Sequence, residues 1–111
     1  MAFDPGLAER LREALLDAPD INEKKIFGGL AFMSHGYMFI GIAGDTLMAR
    51  VEPEHYDEAL ARPHVRVMDF TGRPLRGYVY VDPPGIGTDA ELLGWMRRCR
   101  RFVDSLPARV R

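Results

Sequence analysis

Apolar positions along the chain recur first at helical spacing, then alternate, then return to helical spacing. Leu7, Leu11, Ala14, Leu15 and Ala18 repeat every three or four residues, with Glu9, Arg10, Arg12 and Glu13 between them. That is the stripe of an amphipathic helix with one face for a core. Asp4-Pro5 supplies its start, since Asp caps and Pro fits the first helical position, and Pro19 supplies its stop. The stretch KKIFGGLAFMSHGYMFIGIAGDTLMARV, Lys24 to Val51, then reads as three consecutive strands. Lys25 to Met33 is the first, interrupted by Gly28-Gly29. His35-Gly36 forms a tight turn, because glycine accepts the positive φ that two-residue hairpins need. Tyr37 to Ala43 is the second strand, with Met38, Ile40 and Ile42 on one face and Phe39, Gly41 and Ala43 on the other. Gly44-Asp45 is a second turn and Thr46 to Val51 the third strand. Connections this short force antiparallel neighbours.

Pro53 to Ala61 predicts a short helix. Val65 to Phe70 and Arg76 to Asp82 predict two more strands, joined by Thr71-Gly72-Arg73-Pro74. Thr88 to Leu106 is the clearest helix: Thr88 with Glu91 makes a capping box, and Leu92, Met96, Cys99, Val103 and Leu106 form an apolar seam flanked by Trp95 and Phe102. The expected order is α-βββ-α-ββ-α. Grouped strands imply an α+β two-layer sandwich, with a mostly antiparallel sheet of about five strands packed by two long amphipathic helices.

Composition adds boundaries. At 111 residues, 47% hydrophobic and 28% charged, the chain is expected to form one domain, residues 1–111, with a core that needs no staples. A net charge of −1 argues against a protein built mainly to hold nucleic acid. One cysteine, Cys99, permits no intrachain disulfide and fits a reducing compartment. The first residues lack an apolar signal core, and no apolar run approaches the roughly 20 residues that span a bilayer. A cytoplasmic location without membrane contact is expected.

Candidate chemistry is sparse. Gly85-x-Gly87-x-x-Ala90 matches a relaxed dinucleotide fingerprint, but no strand follows the helix it opens and no acidic ribose ligand stands at the required distance. Asp82-Pro83-Pro84 resembles the Asp-Pro-Pro-aromatic motif of amino-group methyltransferases, with Gly85 where the aromatic belongs. His35, His55 and His64 have no ligand partners at metal-binding spacing. Cys99 on the apolar seam reads as a small buried hydrophobe. Trp95, Phe102 and the scattered methionines read as core packing. The expectation is no catalytic residue, no cofactor and no metal. Arg97, Arg98, Arg100 and Arg101 form a basic cluster that reads either as a solvated helix face or as a weak nucleic-acid contact. Gly28-Gly29 costs backbone entropy inside an apolar strand, so a bulge, a bend or the close approach of another chain has to offset it.

IFGGLAF, the hairpin after it and FIGIAGDTLMARV together resemble the N-terminal domain of the TfoX (Sxy) competence-regulator family. That family shows a Met-Phe-Gly-Gly-like opening, an apolar hairpin and a Leu-Tyr-Leu-Lys-like strand. Here Ile26 replaces Met, and Ala49-Arg50 the Leu-Lys pair. The second half is similar too: Phe70 before a turn containing Gly72, a Tyr-rich strand with Tyr78 and Tyr80 ending at Pro83, and a helix with central Trp95. The resemblance covers roughly Asn22 to Val103. It implies a fold like those of secretion chaperones and a part in competence or transcription regulation. Family regulators act with the cyclic-AMP receptor protein and carry a second, helical C-terminal domain. Nothing in this sequence resembles that second domain, so a stand-alone N-terminal-type domain is expected. The expected activity is non-enzymatic: binding a protein partner or itself, possible homodimer included. Lys24, Lys25, Phe27, Gly28 and Gly29 are the candidate contact residues.

Overall fold

The computed structural model describes residues 3–26, 28–69 and 74–107. Phe27, the Phe70 and Gly72 of the resemblance, and the turn at 71–73 lie outside the described residues. Asp4 caps the first helix as its sequence predicts. Its Oδ1 accepts from the Gly6 backbone N–H at 3.1 Å, with Pro5 in the first turn. This helix, α1, covers Pro5–Ala14 and stops short of Pro19. Leu15 leaves helical geometry at φ −107° and ψ 13°, and the chain continues in turns. Leu7, Ala8 and Leu11 are its buried face.

Six strands follow: β1 (Asn22–Ile26), β2 (Gly29–Ser34), β3 (Tyr37–Ala43), β4 (Thr46–Arg50), β5 (Val65–Asp69) and β6 (Pro74–Val81). They form one sheet in the order β1-β2-β3-β4-β6-β5, every neighbour antiparallel. The α+β reading holds, with six strands in place of about five. The extra strand arises because Lys25 to Met33 is not one interrupted strand. It is the hairpin of β1 and β2, which closes where Ile26 pairs with Gly29.

Two cross-strand rows build one face: Leu30–Ile42–Leu47–Val81–Val65 and Phe32–Ile40–Ala49–Val79–Val67. Except for Val65 and Val67, these residues are buried in one core with Leu7, Leu11, Leu92, Trp95, Met96, Cys99 and Val103. Helix α3 (Asp89–Asp104) lies over β2, β3 and β4, and helix α2 (Tyr56–Leu60) over β5 and β6. The two long helices expected are thus α3, at 16 residues, and the shorter α1, at 10. The capping box at the start of α3 is present in both directions: Glu91 N–H donates to Thr88 Oγ1, and Thr88 N–H donates to Glu91 Oε1.

Between those rows runs Lys24–Ala31–Gly41–Met48–Tyr80–Arg66, which strand alternation places on the opposite face. One detail corrects the expected faces of β3. Phe32 pairs with Ile40 but Met33 pairs with Met38, so Phe39 is the extra residue of a bulge. The slip turns Met38 away from the face of Ile40 and lets Phe39 join the core at 0% exposure. His35 and Gly36 take φ of 52° and 85° in the two-residue turn, as the sequence predicts.

Candidate interaction surfaces and the cleft between α2 and α3

The β1–β2 hairpin explains the two glycines separately. Gly28 sits at φ +74° in the exposed turn, where a Cβ would meet nothing within 4 Å. Its requirement is conformational. Gly29 is buried, and a Cβ there would lie 2.1 Å from the Ile42 carbonyl oxygen on β3. Its requirement is the close approach of the chain's own backbone. The expected bulge or bend is therefore a turn plus a tight strand contact. Lys24 and Lys25 stand exposed on β1, which has only β2 beside it and forms one edge of the sheet. Glu23 next to them is held by Arg12 of α1 through two contacts, 2.7 and 2.8 Å. Of the five candidate contact residues, the structure thus places Lys24, Lys25 and Gly28 on the surface and Gly29 within it.

The four arginines of α3 separate. Arg98 Nε donates to Glu52 at 3.1 Å and its Nη2 donates to Glu58 at 2.6 Å, with the side chain 14% exposed. Arg100 donates to Asp20 at 2.9 Å and to Asp104 at 3.2 Å. Only Arg97 and Arg101 stand exposed on the helix surface. The basic cluster is therefore half internal ion pairing, with two cations available to phosphate.

Arg98 belongs to a cleft that the sequence did not single out. Its walls are the segment from Glu52 through α2 to His64, Gly85, and α3 from Ala90 to Arg101. Arg62 Nε donates to Glu58 at 2.7 Å. The guanidinium carbons of Arg62 and Arg98 each lie 5.6 Å from the Trp95 ring centre. Trp95 itself is 8% exposed. The Glu58 and Arg62 pair at i,i+4 was a readable local signal. The joining of Glu52 and Glu58 to Arg98 was not, because it spans the fold.

The motifs refused on sequence have structural roles here. Asp82 accepts from Arg66 Nε and Nη2 at 2.7 to 3.0 Å, which ties β5 to the end of β6. Gly85 lies where a Cβ would press on Val81 at 2.8 Å and His64 at 3.2 Å. His55 and His64 line the cleft. Among the described residues, no group of three or more His, Cys, Asp or Glu is placed to hold a metal ion. None of the described helices is long and apolar enough to cross a membrane.

These ion pairs set a pH dependence. Arg12 holds the Glu23 carboxyl below its ordinary value, Arg62 and Arg98 do so for Glu58, and Arg66 for Asp82. Burial pushes Glu52 up, but its own backbone N–H and Arg98 more than offset this, so it also sits low. A carboxyl lower in the folded state stabilises the fold above its unfolded value, and that stabilisation is lost as pH falls through the folded value. With ordinary values of 4.5 for Glu and 3.8 for Asp, the contribution of these pairs is flat above about pH 5 and declines below it. A urea midpoint series from pH 7 to pH 3 checks this; no decline below pH 4.5 would contradict it.

Cys99 is fully buried, and burial pushes its thiol up to about 12. The thiolate is the reactive form, so Cys99 is expected to ignore an aromatic disulfide reagent at pH 8 and to react at once in denaturant. Rapid labelling of the folded protein would contradict its placement.

A sequence model described as the TfoX N-terminal domain matches residues 13–103, well over half of the chain. The chain belongs to the TfoX N-terminal domain family. Neither curated proteins nor solved structures give a match. The TfoX match takes in all six strands, α2 and nearly all of α3, and it extends the resemblance read from Asn22 back to residue 13. Most of α1 lies before the match, yet its Leu7, Ala8 and Leu11 complete the core of this TfoX domain.

Proposed function

We propose that this TfoX-family domain works by binding rather than by catalysis, as a protein-interaction module in gene regulation. The observation that supports it is the β1 edge. Lys24 and Lys25 stand exposed on a terminal strand, and Gly28 after it is exposed too. An edge strand offers unpaired backbone groups to a partner strand, and flanking lysines select what pairs with it. A protein partner or a second copy both use that chemistry. The link to regulation, and to competence in particular, comes from the family resemblance. Nucleic-acid contact through Arg97 and Arg101 is the weaker reading, since Arg98 and Arg100 are already engaged by carboxylates.

Affinity capture from the native cell, with light scattering in parallel, tests the proposal. The wild-type domain is expected to bring down a specific protein or to self-associate, and a Lys24→Glu, Lys25→Glu variant of unchanged stability is expected to lose it. A monomer that captures nothing above background would overturn the reading.

A further inference from the structure

The cleft between α2 and α3 is an open groove of about 690 Å³, within the roughly 300–1,000 Å³ of small-molecule sites. It lies over the β5–β6 end of the sheet, far in strand order from the β1 edge, and is therefore independent of the interaction surface. Its walls carry three glutamates, three arginines and two histidines. The glutamates are engaged at four of their six carboxylate oxygens. Glu58 accepts at both oxygens, from Arg62 and Arg98; Glu52 accepts from Arg98; Glu91 accepts from the Thr88 N–H and hydroxyl.

The donors are not used up. Among the described residues, the Arg62 side chain donates only through Nε, and the side chains of Arg101, His55 and His64 have no hydrogen-bonded acceptor. Spare guanidinium donors on Arg62 and Arg101, beside carboxylates that are mostly engaged, favour an anion. Trp95 lies beside these donors: the guanidinium carbons of Arg62 and Arg98 are within cation–π reach of its ring, each 5.6 Å from the ring centre. Gly94 leaves open space on the α3 side of the cleft, where a Cβ would meet nothing within 4 Å. That space suits the organic body of a ligand.

We propose that this cleft binds a small phosphorylated molecule, a phosphomonoester held at its phosphate by Arg62 and Arg101. A phosphate dianion offers three terminal oxygens, which two forked guanidiniums can engage in pairs; a single carboxylate offers two. The volume beyond the phosphate accommodates a body of nucleotide size.

The chain's single tryptophan reports from the cleft itself. The 111-residue protein is titrated at constant ionic strength with inorganic phosphate, AMP and adenosine, and Trp95 fluorescence and thermal midpoint are read together. Phosphate and AMP are expected to give saturable changes by roughly 10 mM and to raise the midpoint, with AMP the tighter and adenosine silent. Arg101→Glu and Arg62→Gln are expected to weaken AMP by about tenfold or more, as for loss of a charge-assisted contact. Arg97→Glu, which changes the same net charge on the same helix outside the cleft, is expected to stay within about twofold. Should Arg101→Glu fail to fold, Arg101→Gln carries the same expectation. Two results would overturn the proposal: no saturable response to either phosphate probe, or equal weakening by Arg97→Glu and Arg101→Glu. The interaction reading stands or falls separately, on the β1 variant.

Discussion

Gly29→Ala is expected to destabilise the domain by about 3 kcal/mol or more, the range of severe core disruption. The added Cβ would sit 2.1 Å from the Ile42 carbonyl oxygen, and the obstacle is backbone in a central strand. Relief requires β2 and β3 to part where Leu30 pairs with Ile42, both buried in the core. Its neighbour behaves differently. Gly28→Ala meets open space and suffers only the left-handed backbone, φ +74°, at a cost of roughly 1–2 kcal/mol. The pair is checked by parallel urea melts. Equal and mild losses at the two positions would show that Gly29 is not clamped against β3.

Trp95→Ala carries the second large effect. The ring is 8% exposed and packs in the core with Leu92, Met96 and Cys99. Truncating such a side chain costs about 3–5 kcal/mol, a large share of the roughly 5–15 kcal/mol that holds a domain folded. The Arg62 and Arg98 guanidiniums also lose their cation–π contact with the ring, each worth about 0.5–1 kcal/mol where solvent reaches it. A fall in thermal midpoint on the order of 15 °C is expected. Trp95→Phe keeps most of the apolar volume and is expected to lose about a third as much. A midpoint within a few degrees of wild type for Trp95→Ala would contradict its place in the core.

Local chemistry was the legible part of the sequence. Asp4-Pro5, Thr88 with Glu91, and His35-Gly36 each specify their structure within four residues, and each is found where the sequence puts it. Strand β1 was hidden because Asn-Glu-Lys-Lys-Ile carries no apolar alternation; it is an edge strand, exposed along most of its length. That concealment made Gly28-Gly29 look like an interruption rather than a hairpin turn. The Phe39 bulge was equally silent, since one extra residue leaves no mark on composition but reverses Met38. The cleft was invisible for another reason. Glu52 and Glu58 stand 46 and 40 positions from Arg98, and only the fold brings them together. Four adjacent arginines therefore read as one basic cluster, although two of them serve internal carboxylates.

The central claim is that the TfoX-type domain is a binding module whose β1 edge meets its partner. A photocrosslinking side chain placed at Lys24 tests it most directly in the living cell, with the same group at Arg97 on α3 as the comparison. The account predicts a discrete adduct from position 24, to another protein or to a second copy, and none of that species from position 97. No adduct at position 24, or the same products from both positions, would contradict it.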